Sequence, residues 1–381
     1  MTAERLARSL LPQPGPDHAA ARELARRHAP DAGVDDDGAG FREAWKRFAD
    51  AGLYRLTIPG PGLDVDAVLG TLEGLGEGTR TAGFLLSVGA HSFAAGAAIA
   101  RFGGEAQRQV LEAMRDGSAI AAFAASEPEA GSDIMSLRTR CVAVGEDYVL
   151  DGTKHFVTNA RLADCFVVFA TKDRRLNWRG VTAFLVPGDT PGLSLGPEQR
   201  LIGLTGCFMG TVHLDSVTVP RSAMLGRLGQ GSSVFGHAML WERSLLAAMA
   251  VGAIRRQLAD AIDSALGRDQ SAGTNACDLD AARSVVDIAG RYLVGRLLVR
   301  DTVTKLAAGT LTPGQASLTK LWISEAELAT SRDLAGTGPA AELLAASPRT
   351  GDLFNAIGAT IYSGTSDIQR KIIAAELGIL E

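Results

Sequence analysis

The sequence predicts an α+β protein in which a helical region, a β-rich region and a second helical region follow one another. Three observations support this order: helical spacing of apolar residues in the first third, short β-rich runs in the middle, and long helical patterns afterwards. With 381 residues and 46% hydrophobic composition, the chain can form one large domain or two to three smaller ones with buried cores. We place the domains at residues 1–117, 118–225 and 226–381.

The first region, from Pro16 to Gly117, has the pattern of packed helices. Residues 41–48 carry apolar side chains at helical spacing, and Gly52 provides a stop signal. The apolar run 82–100 is nearly long enough to span a bilayer, but His91, two serines and three glycines favour a buried helix instead. Because the first 30 residues contain no apolar signal core, we expect a cytoplasmic protein without a membrane span.

The middle region changes to short β-rich runs separated by Gly, Asp, Asn and Pro. These runs are residues 148–150, 165–170, 181–186 and 211–214. Such spacing predicts a small sandwich or barrel of about 100 residues. After Gly226 the pattern returns to helices at 235–266 and 279–306, and the polar stretch 267–278 is expected to separate them.

Composition excludes several classes of partner. The net charge of -5 includes no basic block, so we expect neither nucleic acid nor an anionic membrane surface. The four cysteines are widely spaced and predict reduced, structural thiols, and the scattered histidines predict no metal site. A small molecule or another protein is the expected partner.

Residues 122–133 combine a hydroxyl, a proline-fixed turn and a Gly-Ser pair where the β region begins. Backbone N–H groups of this turn, with Ser126 and Ser132, could bind the edge of a flavin ring and its pyrophosphate. The same composition also suits an ordinary loop, in which Gly131 and the serines serve only the turn geometry.

A second candidate is the segment Gly152–Ala160, which follows a predicted strand. In an extended chain Phe156 and Thr158 lie on the same side, so Phe156 could cover a flavin face while Thr158 hydrogen-bonds near its reactive nitrogen. The alternative is an ordinary strand with one core aromatic residue.

These motifs together resemble the acyl-CoA dehydrogenase family. The similar segments are Ser126–Asp133, Gly152–Asn159, Ile202–Leu204, Asp215–Pro220, Glu242–Arg243 and Gly364–Arg370, and the resemblance covers about residues 40–260 and 355–380. It implies an N-terminal helical domain, a middle β domain and a C-terminal four-helix bundle, with FAD held between the last two. It also implies α,β-desaturation of an acyl thioester, with electrons passing on to a flavoprotein or oxygen.

The base that removes the substrate proton needs separate attention, because Ser363 stands where better-known members carry the catalytic glutamate. A serine cannot act as this base without a partner that deprotonates it. Glu242 matches the position used by isovaleryl-CoA dehydrogenases, and enzymes that oxidise carrier-bound prolyl groups look similar here. We therefore predict Glu242 as the base, although a glutamate that only pairs with a nearby arginine is the alternative.

The resemblance assigns roles to further residues. Arg243 is expected to hold the helix of Glu242 or to orient its carboxylate. Trp241 is expected at the substrate, where it keeps the surroundings of Glu242 apolar, and the Ser363 N–H is expected to donate to the thioester oxygen. Tyr362 and Gly364 are expected at the substrate. The residues expected at FAD are Phe123, Ser126, Gly131, Ser132, Phe156, Thr158, Arg268, Thr365 and Ser366.

The sequence departs from the family where relatives bind the ADP half of FAD. Arg268-Asp269-Gln270 is followed by Ser-Ala-Gly, and residues 335–339 replace a Gly-Gly-x-Gly turn. Two alternatives to the dehydrogenase therefore stay open: a flavin monooxygenase of the same fold, and a non-catalytic subunit of a partner enzyme. CoA and a carrier protein are both possible acyl carriers, and a homo-oligomer, dimer or tetramer, is expected.

Overall fold

The structure is a computed structural model that describes residues 11–30, 38–60, 62–131, 136–271, 279–337 and 347–380. The predicted order of helical, β-rich and helical regions is confirmed. Within the described ranges three of the four cysteines, Cys141, Cys165 and Cys207, are buried free thiols, as expected. Cys277 lies outside the described residues.

The first region consists of helices, as predicted. They are α1 (Pro16–His28), α2 (Ala39–Asp50), α3 (Leu53–Thr57), α4 (Val65–Gly78), α5 (Ala82–Gly89), α6 (Ala97–Phe102) and α7 (Glu105–Arg115). The Asp64 carboxylate caps α4 by accepting from the N–H of Ala67 at 3.0 Å. A π-helical segment, Ala90–Gly96, joins α5 to α6. This run from Ala82 to Phe102 is apolar and long enough to span a membrane, but 94% of its most apolar window is buried inside the protein.

The middle region forms one sheet of eight strands. They are β1 (Ala121–Ala124), β2 (Arg140–Val144), β3 (Asp147–Val157), β4 (Cys165–Thr171), β5 (Val181–Pro187), β6 (Leu193–Glu198), β7 (Gly210–Pro220) and β8 (Met224–Leu225). The main path runs β6-β7-β3-β2-β4-β5-β8, and β1 pairs parallel with β4. The sequence patterns located β3, β4, β5 and β7. They did not locate β1, β2, β6 or β8, which are short or carry mixed side chains on exposed edges.

The third region is helical again, with α8 (Gly231–Ser271), α9 (Leu279–Ala307), α10 (Pro313–Thr337), α11 (Pro348–Ala359) and α12 (Ser366–Glu376). The expected helix end at Leu266 is wrong, because α8 continues through the polar residues 267–271. Polar residues alone do not end a helix, because arginine and glutamine, which occur in this stretch, are good helix formers.

Helix α8 is the central element of the molecule, because helices of both α-rich regions and the sheet contact it. It approaches α4 closely at Gly252, where any Cβ atom would overlap the backbone of Glu73. On the sheet side, the Phe235 ring lies 6.1 Å from Phe123 and 5.9 Å from Phe169. Phe235 lies seven residues before Glu242, so this packing fixes the part of α8 that precedes Glu242 against strands β1 and β4.

Candidate active site

Glu242 lies on the buried face of α8, where it is only 8% exposed. Its surroundings are apolar: Trp241, Leu245 and Leu246 are all at least nine-tenths buried. Burial raises the pKa of Glu242 to about 7, while the Ser363 hydroxyl and the charges of Arg243 and Lys320 act in the opposite direction. A carboxylate with a pKa near neutrality is a stronger base than an ordinary glutamate and still ionises at physiological pH.

Two cations stand beside Glu242, but their hydrogen bonds are directed elsewhere. Arg243 donates from Nε to the Ser363 carbonyl at 3.1 Å and from Nη1 to the Ser317 hydroxyl at 3.2 Å. Lys320, on α10, donates from Nζ to the Gly364 carbonyl at 2.9 Å. Burial lowers the pKa of Arg243 to about 10 and that of Lys320 to about 7. The alternative in which Glu242 only pairs with an arginine therefore loses support, because Arg243 instead holds the 363–364 turn.

The turn that follows α11 is fixed by three side chains. Besides Arg243 and Lys320, Gln369 donates from Nε2 to the carbonyls of Ser363 and Gly364 at 3.0 and 2.8 Å. Ser363 has a left-handed backbone with φ 54°, which a non-glycine residue rarely adopts. A Cβ atom at Gly364, where φ is 96°, would lie 2.7 Å from Gln369 Nε2. Glycine is therefore required at 364, and the carbonyls of both turn residues point to cations.

The N–H groups of this turn are left as free donors. Among the described residues, neither the Ser363 N–H nor the Gly364 N–H has a hydrogen-bond acceptor. The Ser363 hydroxyl is buried and makes no hydrogen bond of ordinary geometry, although it is close enough to Glu242 to influence its pKa. Tyr362 precedes the turn and lies with its ring 5.9 Å from Lys320 Nζ. Five of the residues singled out in the sequence thus lie together in the structure: Glu242, Arg243, Tyr362, Ser363 and Gly364.

On the sheet, the segments of Ser126 and Phe156 are neighbours, because the His155 N–H donates to the Ser126 carbonyl at 2.9 Å. Phe156 is 60% exposed, which is unusual for phenylalanine. Among the described residues no partner bonds the hydroxyls of Ser126 or Thr158. The expectation of an extended chain from Phe156 to Thr158 is wrong. Phe156 has φ 53° and β3 ends at Val157, so Thr158 belongs to the turn that follows.

A buried ion pair missed in the sequence joins the same two segments. Lys154 Nζ donates to Glu127 at 2.7 Å, and the Thr139 N–H donates to the same carboxylate oxygen at 3.0 Å. Burial opposes ionisation of Glu127, but these partners outweigh it and lower its pKa. The Lys154 pKa falls to about 8 because the group is wholly buried. Glu127 and Lys154 lie in the two segments Ser126–Asp133 and Gly152–Asn159 that the sequence analysis singled out. Their opposite charges could have indicated that the two segments form an ion pair.

The remaining predicted cofactor residues are only partly described. Phe123 is half-buried against Phe169, 5.1 Å away, and Gly131 has open space around it. Thr365 caps α12, and the Ser366 hydroxyl donates to Glu325 at 2.6 Å. Ser132 and the side chain of Arg268 lie outside the described residues. Lys320 was missed because nothing local marks a lysine inside a long helix as part of a site.

The chain matches all three domains of one enzyme family: the acyl-CoA dehydrogenase N-terminal domain over residues 18–118, the middle domain over 122–217 and the C-terminal domain over 229–378. It therefore belongs to the acyl-CoA dehydrogenase family. The resemblance stated from the motifs is confirmed.

Individual relatives give finer comparisons. The chain is 32% identical to the L-prolyl-[peptidyl-carrier protein] dehydrogenase of Serratia sp., which covers 81% of this chain and 80% of that protein. It is 35% identical to the protein of the same name from Pseudomonas fluorescens, in an alignment that covers 87% of this chain and 89% of that protein. Human short-chain specific acyl-CoA dehydrogenase, which is mitochondrial, is 32% identical in an alignment that covers 87% of this chain and 81% of that protein.

Solved structures agree with these relatives. The prolyl acyl carrier protein oxidase AnaB matches with a TM-score of 0.88 and 30% identity, over 99% of this chain and all of that one. PigA with FAD and proline matches with a TM-score of 0.84 and 29% identity, over 96% and 98%.

The protein is an FAD-dependent oxidoreductase of the acyl-CoA dehydrogenase type, which acts on CH–CH bonds. The residues present fit this cofactor. The exposed ring of Phe156 offers a surface for an aromatic ring system, and the hydroxyls of Ser126 and Thr158 offer donors at its edge.

Proposed function

We propose that this enzyme desaturates an acyl thioester between its α and β carbons and that Glu242 is the base that removes the α-proton. The supporting observation is the buried carboxylate of Glu242, with a raised pKa, beside a turn whose N–H groups are free. Bound FAD supplies the acceptor for the β-hydride. Ser126, Phe156 and Thr158 are the residues proposed to hold its ring.

The Ser363–Gly364 turn is proposed to hold the thioester carbonyl. Removing the α-proton places negative charge on that oxygen, and donors fixed in advance stabilise such charge most effectively. The N–H groups of Ser363 and Gly364 have no acceptor among the described residues. The carbonyls of the same two residues accept hydrogen bonds from Arg243, Lys320 and Gln369. The turn can therefore donate without reorganising. In this role the Ser363 backbone matters more than its hydroxyl.

Arg243 and Lys320 position the turn and keep Glu242 ionisable. Their charges oppose the effect of burial on its pKa, which is about 7, so a substantial fraction of the carboxyl group is ionised at neutral pH. Because both cations bond to the turn rather than to Glu242, the carboxylate keeps its lone pairs free for the proton. The base and the carbonyl-binding turn are thereby linked through the same two side chains.

The acyl group is proposed to arrive on a carrier protein, with CoA as the alternative. The support is the similarity to two prolyl-carrier-protein dehydrogenases and to the prolyl acyl carrier protein oxidase AnaB. We place the enzyme in the cytoplasm and propose that a flavoprotein or oxygen accepts the electrons.

We also propose a homo-oligomer, a dimer or tetramer, formed through α9. Apolar side chains recur along one face of this helix at Val286, Val294 and Leu297, which are 67%, 50% and 70% exposed. An exposed apolar stripe of this kind usually marks a surface that a partner covers.

The test is anaerobic flavin bleaching with a panel of acyl-CoA and acyl-carrier-protein thioesters. Glu242→Gln is expected to slow bleaching about 10²- to 10⁴-fold, the range associated with a positioned general base. The control is Asp263→Asn, which removes one exposed carboxylate from the same helix and should bleach like wild type. Equal bleaching by wild type and Glu242→Gln would remove Glu242 as the base. Oxygen consumption with reduced enzyme, without thioester bleaching, would favour the monooxygenase.

A further inference from the structure

A partly open cavity extends along α8 beyond Glu242. It begins at Leu246, one helical turn after Glu242, and reaches Ala253, a span of roughly 10 Å at 1.5 Å per residue. Leu85 and Leu86 of α5 form part of the opposite wall. Leu246 and Tyr362 line both this cavity and the neighbouring one at Ser363, so an acyl group whose thioester carbonyl lies at the Ser363 turn can extend into it.

One carboxyl group in the cavity is buried and unpartnered. Glu327 of α10 lines this cavity and also the neighbouring one that contains Arg243 and Ser363. It is 8% exposed, and it makes no hydrogen bond or ion pair with any residue that the structure describes. Buried carboxyl groups are normally paired or hydrogen-bonded, because desolvating them without a partner is unfavourable.

The nearby charges already neutralise one another. Arg256 donates from both terminal nitrogens to Asp352, at 2.9 and 3.0 Å. Arg80 pairs with the same Asp352 and also with Asp260. Two arginines are thus matched by two aspartates, and Glu327 has no counter-charge of its own.

The protonation of Glu327 follows from its surroundings. Burial is the main cause that raises its pKa to about 8, Asp352 adds to the rise, and Arg256 opposes it. The charged and titratable groups that share its two cavities are Arg80, Arg243, Arg256, Lys320, Asp352 and Tyr362. At pH 7 the free protein therefore holds Glu327 mainly in its neutral form.

We propose that Glu327 determines specificity by binding a basic nitrogen carried on the acyl group of the substrate. An ammonium group supplies both the missing counter-charge and N–H donors, and charge-assisted hydrogen bonds are the strong ones. A plain hydrocarbon acyl group would leave the carboxyl group unpaired, so the site disfavours it. This inference rests on the proposed thioester dehydrogenation and narrows its substrate to amine-bearing acyl groups.

The experiment compares amine-bearing thioesters with carbon isosteres on the full chain loaded with FAD. The pairs are prolyl against cyclopentanecarbonyl, and 5-aminopentanoyl against hexanoyl. Glu327→Gln and Glu327→Leu are expected to lower kcat/KM for the preferred amine substrate about 10- to 100-fold, and to leave its isostere unchanged or improved. Asp333→Asn, on the same helix, is the control. Glu242→Gln should instead slow every substrate, which separates failure of this proposal from failure of the proposed function.

A second measurement does not depend on turnover. Calorimetry at pH 7 in buffers of different ionisation enthalpy is expected to show that L-prolinamide or 5-aminopentanamide releases a proton on binding, because the ammonium group ionises Glu327. Cyclopentanecarboxamide should release none, and Glu327→Gln should abolish the release. The proposal is overturned if no amide releases a proton from wild type, or if the amine-to-isostere ratio is the same in both Glu327 variants as in wild type.

Discussion

Glu127 in the sheet region and Glu242 in the helical bundle are both buried glutamates with a basic side chain nearby, yet their pKa values move in opposite directions. Glu127 is 4% exposed and its pKa is lowered. Glu242 is 8% exposed and its pKa is raised to about 7. A neighbouring cation alone therefore does not decide whether a buried carboxylate becomes structural or reactive. Glu242 is the more deeply desolvated of the two, which contributes to the rise of its pKa.

The second difference between the two glutamates is where the hydrogen bonds of the cations go. Lys154 donates directly to Glu127, and backbone and hydroxyl donors complete its coordination. Arg243 and Lys320 instead donate to the carbonyls of Ser363 and Gly364. Direct hydrogen bonds stabilise the ionised form strongly, whereas a charge that is only nearby does so weakly. The bundle thus keeps a basic carboxylate next to two cations.

The largest expected effect is on stability, when one partner of the structural pair is removed. Lys154→Met leaves Glu127 as an uncompensated buried charge, so it should lower the free energy of unfolding by about 3–5 kcal/mol. Arg161→Met is the control, because it breaks an exposed pair with Glu198 and should cost under about 1 kcal/mol. Urea denaturation measures both, and FAD titration should show weaker binding for Lys154→Met. Equal losses in the two variants would contradict the structural role.

Next in size is the stability of Glu242→Gln. Because the folded pKa of about 7 lies above the ordinary value of 4.5, the folded state keeps a proton that the unfolded chain loses as pH rises. Wild type is therefore destabilised between about pH 4.5 and 7. Glu242→Gln should be more stable than wild type at pH 8, by up to about 3 kcal/mol, and this gain should vanish below pH 4.5. A gain that is the same at both pH values would argue against the raised pKa.

The sequence predicted the place of Glu242 in this comparison but not the Glu127–Lys154 pair or Lys320, which depend on long-range contacts. Glu242 and Ser363 were recognised because local motifs mark both. The two segments are linked by the hydrogen bond from Arg243 to the carbonyl of Ser363, 120 residues away, and no local sequence pattern encodes such a contact. Lys320 and Glu327 lie inside a helix whose sequence has no motif, so only packing reveals them. The prediction that Phe156 and Thr158 lie on the same side of a strand failed, because it assumed a regular extended backbone and Phe156 has a left-handed one.

A smaller effect is expected on the pH dependence of flavin bleaching. Below about pH 7 the rate should fall roughly tenfold per pH unit as Glu242 becomes protonated, and above it the rate should level off. Lys320→Met removes a charge that lowers the Glu242 pKa, so it should move the midpoint upward. Stopped-flow bleaching between pH 5.5 and 9 measures the shift, with the exposed Lys371→Met as control. An unchanged midpoint in Lys320→Met would show that this lysine acts only on the turn.

The smallest expected effect is at Ser363, where the backbone and the hydroxyl can be separated. If the backbone N–H binds the thioester oxygen, Ser363→Ala and Ser363→Gly should both bleach within about threefold of wild type, since both keep that donor. Ser363→Gly should also relieve the left-handed conformation, which costs a non-glycine residue about 1–2 kcal/mol, so denaturation should show it to be the more stable variant. Part of this gain in stability is offset, because glycine has greater conformational freedom in the unfolded chain. A large loss of bleaching in both variants, which both lack the hydroxyl, would move the role from the backbone to the hydroxyl, and would make the serine a direct partner of Glu242.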